Sequence, residues 1–233
     1  MANDPLISPS DQAAIAAAVR EAEARTTGEI YCVVAEDSSD YFETPLAWAA
    51  GVALLGPALL LMLGAPVALP DLTPDWSAAQ TAQAAARQSL LDAILLQLVL
   101  FVVTALVVSL DAVRLRLTPR GLKRDRVRRE ALAHFAAKNL HATRERTGVL
   151  IYVSLDEHMA ELIADAGIAG QVPPEAWEKP MAALMAGLKR REPSAGFAAA
   201  IALCADILAE RFPAKPGDNP NELPDAVVLL PRG

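Results

Sequence analysis

Aromatic residues make up only 5% of this chain, and cysteine and histidine are rarer still, at two and three residues. Cys32 and Cys204 belong to no CxxC or Cys/His ligand spacing, so neither a zinc site nor a disulfide framework is written here. Both lie in apolar patterns and read as small core residues. His134, His141 and His158 complete an inventory too thin for a transition-metal centre. Cations are outnumbered as well: 21 Lys and Arg against 28 Asp and Glu leave a formal charge of −7 and a pI near 5.0. That balance excludes a general nucleic-acid binder, which needs a basic field to displace phosphate counterions. Also missing are a P-loop, a GxSxG elbow and a nucleophile with an evident adjacent base, and with them the common signatures of nucleotide and serine-hydrolase chemistry.

What the chain has in excess is aliphatic. Its 53% hydrophobic content and mean hydropathy of +0.28, reached with few aromatics, point to a membrane protein. Residues 45–70 carry no charge and include LLGPALLLMLGAPVAL. At 1.5 Å per residue that run exceeds the ~30 Å hydrocarbon core, even with a kink at Pro57 or Pro66. A second span covers about 90–112, centred on the uncharged AILLQLVLFVVTALVVSL between Asp92 and Asp111. The first apolar run begins too late for a secretory signal, so both spans are expected in the mature protein.

Charge orients this hairpin. Arg114 to Arg129 holds eight cations (Arg114, Arg116, Arg120, Lys123, Arg124, Arg126, Arg128 and Arg129) against the single acid Asp125, whereas 71–91 holds one base, Arg87. The positive-inside rule then puts both termini in the cytoplasm of a bacterial inner membrane. The domain plan is 1–43 as the first part of a cytoplasmic domain, 44–113 as a transmembrane hairpin, 114–212 as a basic juxtamembrane segment and the remainder of the domain, and 213–233 as a proline-rich extended tail. Gly51, Gly56, Gly64 and Gln97 suit close helix packing. Neither span has a charge at its middle to line an ion path.

The two parts of the cytoplasmic domain share one phrase. EARTTGEIYCVVAEDSSDY (Glu23 to Tyr41) and RERTGVLIYVSLDEH (Arg144 to His158) each follow a helical pattern with threonine, glycine, a run of β-formers and a cluster of acids. Ser8 and Pro9 start the first helix, with Ile15, Val19 and Ala22 on its apolar face. The second helix takes Leu132, Phe135, Ala136 and Leu140 as its stripe. A lone strand leaves its backbone unpaired, so the two strands are expected to lie side by side in one α/β domain. HMAELIADAGI follows as an antiparallel third strand after a tight turn. PEAWEKPMAALMAGLKRR and SAGFAAAIALCADILAERF read as helices, the second anchored by Phe197, Ile201, Leu208 and Phe212.

On REAEARTTGEIYCVV, the membrane hairpin, RTGVLIYVSLDEHMAELIADAGI, VPPEAW, GFAAAIALCADILAERFP and NELPD, the chain resembles the TPM domain family, in its bacterial membrane-protein branch. The resemblance spans nearly the whole chain and implies a Rossmann-like three-layer α/β/α domain of TPM type interrupted by a two-helix transmembrane hairpin. Relatives are described as acid phosphatases, as calcium binders, or as assembly factors of membrane complexes, and this branch is associated with LemA-family membrane proteins. The chain departs from the wider family at Arg146, Thr147 and Gly148, where many members carry an acidic residue and asparagine before that glycine.

If the two strands are parallel, the acids after them converge beyond their carboxyl ends, where open α/β sheets bind ligands. Asp37, Asp40 and Asp156 are the candidate metal ligands, with Glu36, Glu157 and His158 completing the edge; such oxygens suit calcium or magnesium. His158 reads as a turn residue in solvent ahead of an acid or base, and Asp165 as the acceptor that shapes the loop after the third strand ahead of a ligand. Arg114, Arg116, Arg120, Lys123 and Arg124 are the candidate contacts to anionic lipid headgroups. Eight residues from Asp37 to Thr44 reach at most ~29 Å, tethering the acidic edge near the bilayer. The expected function is a non-enzymatic inner-membrane accessory protein, requiring no cofactor, whose domain binds or stabilises a membrane protein complex or forms a homo-oligomer. The alternative is a divalent-metal-dependent acid phosphatase.

Overall fold

The computed structural model describes residues 7–64, 82–138, 143–215 and 221–232. The chain divides into two compact units, one formed by 1–39 with 120–233 and the other by 40–119.

The first unit is mixed α/β. Its helix α1 (Pro9–Glu23) begins where the Ser8 hydroxyl accepts the Asp11 amide at 3.1 Å, with Pro9 in the first turn, and it buries Ile15, Val19 and Ala22. β1 (Glu29–Ala35) and β2 (Gly148–Ser154) are buried along their whole length. They pair in parallel, with Glu29 opposite Gly148 and Ala35 opposite Ser154. β3 (Met159–Ala164) returns antiparallel to β2 through the four-residue turn Leu155–His158. His158 takes a positive φ of 54° there. After β3 come α6 (Ala166–Ala169), a short 3-10 turn at Pro174–Trp177, α7 (Glu178–Lys189) and α8 (Pro193–Arg211).

One strand lies where the sequence reading expected only an extended tail. β4 (Val228–Leu230) pairs in parallel with β1, giving the order β3-β2-β1-β4. The proline-rich tail thus ends in the sheet, because Val227 to Leu230 are β-formers that meet the open edge of a fully buried strand.

Alternation along the strands sends side chains to two cores. Ile30, Cys32, Val34, Val149, Ile151 and Val153 pack with Ile15, Val19, Leu184, Phe197, Ile201 and Leu208 of α1, α7 and α8. Tyr31, Val33, Leu150 and Tyr152 meet Val127 and Ala131 of α5 (Arg120–Ala137) on the opposite face. Each fully buried aliphatic side chain contributes about 1.5–3 kcal/mol. The α5 stripe differs from the expected one. Val127 and Ala131 are buried and Phe135 packs beside them, whereas Leu132 is 44% exposed. The basic run is itself the first half of this helix, which sets the phase one residue away from that read on the C-terminal half alone; Leu140 lies outside the described residues. α7 and α8 cross at Gly187 and Gly196, where a Cβ on Gly187 would stand 2.3 Å from the Gly196 Cα.

The second unit is helical. α2 (Glu43–Met62) and α3 (Ala82–Val108) pack against each other, and α4 (Asp111–Leu117) follows. Pro57 lies inside the continuous helix α2. The helix ends at Met62 rather than continuing to 70: Leu63 and Gly64 bond back to the Leu59 and Leu61 carbonyls, with Gly64 at φ 70°. This is glycine's usual helix-terminating role. Pro66 and most of the 71–91 loop lie outside the described residues. The second helix begins at Ala82, earlier than expected, and breaks at Ser109–Leu110 before α4. The end of α4 is tied to the start of α2 by a Thr44–Thr118 hydroxyl pair at 3.0 Å and by Trp48 donating to the Leu117 carbonyl at 3.4 Å.

Among the described residues, three helices are long and apolar enough to cross a membrane by length and composition: Glu43–Met62, the Arg87–Val108 part of α3, and Pro193–Arg211. The third is α8, whose Phe197, Ala200, Ile201, Cys204, Ala205 and Leu208 are buried in the α/β core. The other two leave Leu54, Leu55, Leu59, Leu98, Val102 and Leu106 exposed.

Candidate functional site

Parallel pairing of β1 and β2 brings their C-terminal ends together, and the ladder continues past the strands. The Leu155 amide donates to the Ala35 carbonyl at 3.0 Å and the Asp156 amide to the Glu36 carbonyl at 2.9 Å. Glu36, Asp37, Asp156 and Glu157 therefore share one edge, as the sequence suggested. β4 delivers a further residue. With Leu230 opposite Ala35, Arg232 arrives among these acids.

Arg232 organises the rim. Its Nε lies 3.2 Å from Asp37 Oδ2, its Nη2 contacts Asp156 Oδ2, and its backbone amide donates to Glu36 Oε2 at 3.1 Å. A planar guanidinium bridging two carboxylates has the geometry of charge-assisted pairing. Asp37 and Asp156 are thus brought together as expected, but around the chain's own cation. Asp40 is exposed and falls in the other compact unit. Among the described residues, no three His, Cys, Asp or Glu side chains gather as a metal-binding group. Of the expected Asp37, Asp40, Asp156 trio, Asp37 and Asp156 carry carboxylate oxygens that face Arg232.

Glu157 has a different role from its neighbours. It is 5% exposed, accepts the Ser38 amide at 3.1 Å and takes a hydrogen bond from the Ser154 hydroxyl. Ser38 Oγ donates to Ser154 Oγ at 2.9 Å and lies 3.3 Å from the Tyr152 hydroxyl. Burial raises the Tyr152 phenol above its ordinary range, and its ring stacks on His134 with centroids 5.9 Å apart. Ser154 beside a carboxylate resembles a nucleophile with its base. It is fully buried at the end of β2, so the group fastens the strand end and offers no oxygen to a substrate. His158 is an exposed turn residue, its Nδ1 3.0 Å from the Asp156 carbonyl oxygen. Asp165 caps α6 by accepting the Ala166 amide at 2.6 Å.

A second carboxyl group lies at the other end of β1. Glu23, 7% exposed, accepts the Ile30 amide at 2.9 Å; Glu29, 4% exposed, accepts the Leu223 amide at 3.1 Å. Burial pushes Glu23 up to about 8, assisted by the nearby Glu29 charge and by a hydrogen bond with Asp225. Glu29 is also raised, mainly by burial. Asp225 in turn pairs with Arg20 at 3.1 Å. These contacts hold the C-terminal segment that carries β4 and Arg232. Both cysteines are free and buried, with Cys204 pushed up to about 12 by desolvation.

The basic segment is distributed between the units. Arg114 pairs with Asp111 at 2.6 Å within α4, and Arg116 is exposed. On α5, Arg120 is exposed and Lys123 half-buried, while Arg124 stands 3.9 Å from Glu161 of β3. Arg232 and the Ser38–Ser154 pair were missed by the sequence reading. The signal for Arg232 was its position two residues beyond the apolar run VVLL; the serines left no signal, since their partners are distant in sequence.

Among known proteins, no family pattern matches the chain and no curated protein matches it. It is similar in fold to a solved structure described as the NMR structure of BA42 protein from the psychrophilic bacteria Bizionia argentinensis sp. nov., with a TM-score of 0.56 and 17% identity over 97% of each chain. At that identity the likeness concerns the fold.

Proposed function

We propose that the chain is a bacterial inner-membrane accessory protein. Its TPM-like, Rossmann-type α/β unit, held at the cytoplasmic face by the α2–α3 hairpin, binds or stabilises a membrane protein complex. The observation that carries this reading is the outward display of large aliphatic side chains on α2 and α3, in a chain whose α/β unit has its acidic rim committed to Arg232. An exposed apolar band of this kind suits lipid or another apolar helix. The same rim weighs against the divalent-metal-dependent acid phosphatase, because a divalent cation would first have to displace the guanidinium from Asp37 and Asp156. The exposed Arg116 and Arg120 suit anionic headgroups. A LemA-family protein is the partner that the resemblance suggests.

Purification in a mild detergent tests the proposal. It is expected to recover a stoichiometric membrane partner or a defined homo-oligomer. A monodisperse monomer with no partner would refute it. For orientation, cysteines introduced between 71 and 91 are expected to label from the periplasmic side of intact cells. Labelling only after permeabilisation would reverse the topology.

A further inference from the structure

β3 forms one border of the sheet and, among the described residues, is hydrogen-bonded to β2 alone. The Asp165 amide donates to the Gly148 carbonyl at 2.9 Å. Hydrogen-bonded pairs alternate along an antiparallel ladder, so with the observed register Ile163, Glu161 and Met159 exchange bonds with β2. Ala160, Leu162 and Ala164 direct their N–H and C=O groups to the open side.

That open side is a groove. A cavity of about 580 Å³ runs along β3, walled by Arg124, Arg128 and Leu132 of α5 on one flank and by Val172, Trp177 and Met181 on the other. The two flanks differ in chemistry. Glu161 is the acid facing both arginines, at 3.9 Å and 3.8 Å, and their side chains remain 75% and 63% exposed. The α5 flank therefore keeps a surplus of positive charge. On the opposite flank Val172, Trp177 and Met181 belong to or pack on the main core, and Glu178 lines the groove there.

We propose that this groove captures an extended segment of a partner protein, which adds to the sheet beside β3. The segment alternates acidic and apolar side chains. An unpaired strand edge selects an extended backbone, and the pleat then sends successive side chains to opposite flanks. Acidic residues at one parity meet Arg124 and Arg128, and apolar residues at the other meet Trp177 and Met181. The inference rests on the accessory reading and supplies its mode of recognition.

The test uses the full chain in detergent micelles and a dye-labelled, terminally blocked peptide of about seven residues alternating valine and glutamate, a length suited to one strand. Saturable binding by fluorescence anisotropy is expected. The double variant Arg124→Glu/Arg128→Glu should weaken it about tenfold or more, and a valine–lysine peptide should recover binding to that variant. N-methylation of alternate peptide amides along one edge should abolish binding without any change in the protein.

Absence of binding, or binding indifferent to both charge reversal and N-methylation, overturns the proposal. So does a chain that dimerises through this edge, shown by a dimer that Arg124→Glu/Arg128→Glu dissociates, since the occupant is then a second copy. Recovery of a stoichiometric partner that the double variant retains undiminished refutes the groove while leaving the accessory role standing. Recovery of no partner by either protein refutes that role instead.

Discussion

Glu23 makes the attachment of the C-terminal segment depend on pH. Its carboxyl is held near 8 against an ordinary 4.5, chiefly by desolvation. A carboxyl raised on folding stabilises the folded state fully below 4.5 and loses that contribution as pH climbs through 8. At about 1.4 kcal/mol per pH unit the whole effect approaches 5 kcal/mol, of which about 2–3 kcal/mol falls between pH 6 and pH 9. The groups facing it set where the loss is felt. Ionised Glu23 meets Glu29 and Asp225, and Asp225 is itself paired with Arg20. Glu29, itself raised, adds a slope of the same sign. Urea unfolding of the full chain in micelles at pH 6 and pH 9, with hydrogen exchange at Val228–Leu230 corrected for intrinsic rate, measures this. The wild-type chain should lose stability and strand protection at the higher pH. Glu23→Gln, which keeps an oxygen for the Ile30 amide and cannot ionise, should flatten most of the trend. Parallel profiles for the two proteins, or a wild type that gains stability toward pH 9, would refute the reasoning.

Other positions give simpler expectations. Arg232→Ala removes a 44%-exposed guanidinium from Asp37 and Asp156; the cost should stay near 1 kcal/mol in urea unfolding, with its largest effect on exchange at the end of β4. Gly187→Ala places a Cβ against the Gly196 backbone and should cost at least about 1–3 kcal/mol, measured by thermal or urea unfolding. Phe197→Ala empties a fully buried position and should cost about 3–5 kcal/mol in the same assay. Val127→Ala should destabilise by about 1 kcal/mol or more, whereas Leu132→Ala, at a 44%-exposed position, should be nearly silent; the reverse order would contradict the observed phase of α5.

Local chemistry made much of the α/β unit legible. Ser8 and Pro9 announce α1, because a hydroxyl acceptor and a fixed φ satisfy a helix start whatever lies around it. The β-former runs at Ile30 and Val149 announce buried strands, and helix-strand units at both places point to parallel neighbours. The acids after each strand then had to meet, since parallel strands end at the same edge. The stripe on α5 was less accessible, because a helix mixing Val127, Leu132 and Phe135 among arginines supports two adjacent phases. Only the sheet decides which of them faces Tyr31 and Tyr152.

Composition and pattern by themselves determined two long apolar helices, a basic segment after the second, and the strands that carry the acidic edge. These features depend on properties that neighbouring residues express without tertiary context. The tertiary structure alone decided what the edge contains. Three strand residues, Val228 to Leu230, become β4 because β1 offers unpaired backbone groups to them. That pairing carries Arg232 to Asp37 and Asp156, more than seventy positions away along the chain at the nearest. The same long-range pairing leaves β3 at the border, with its outer backbone groups facing a groove whose flanks come from α5 and α7. Sequence spacing cannot report such meetings, because they arise from hydrogen bonds and charges between segments that become neighbours only when the sheet closes.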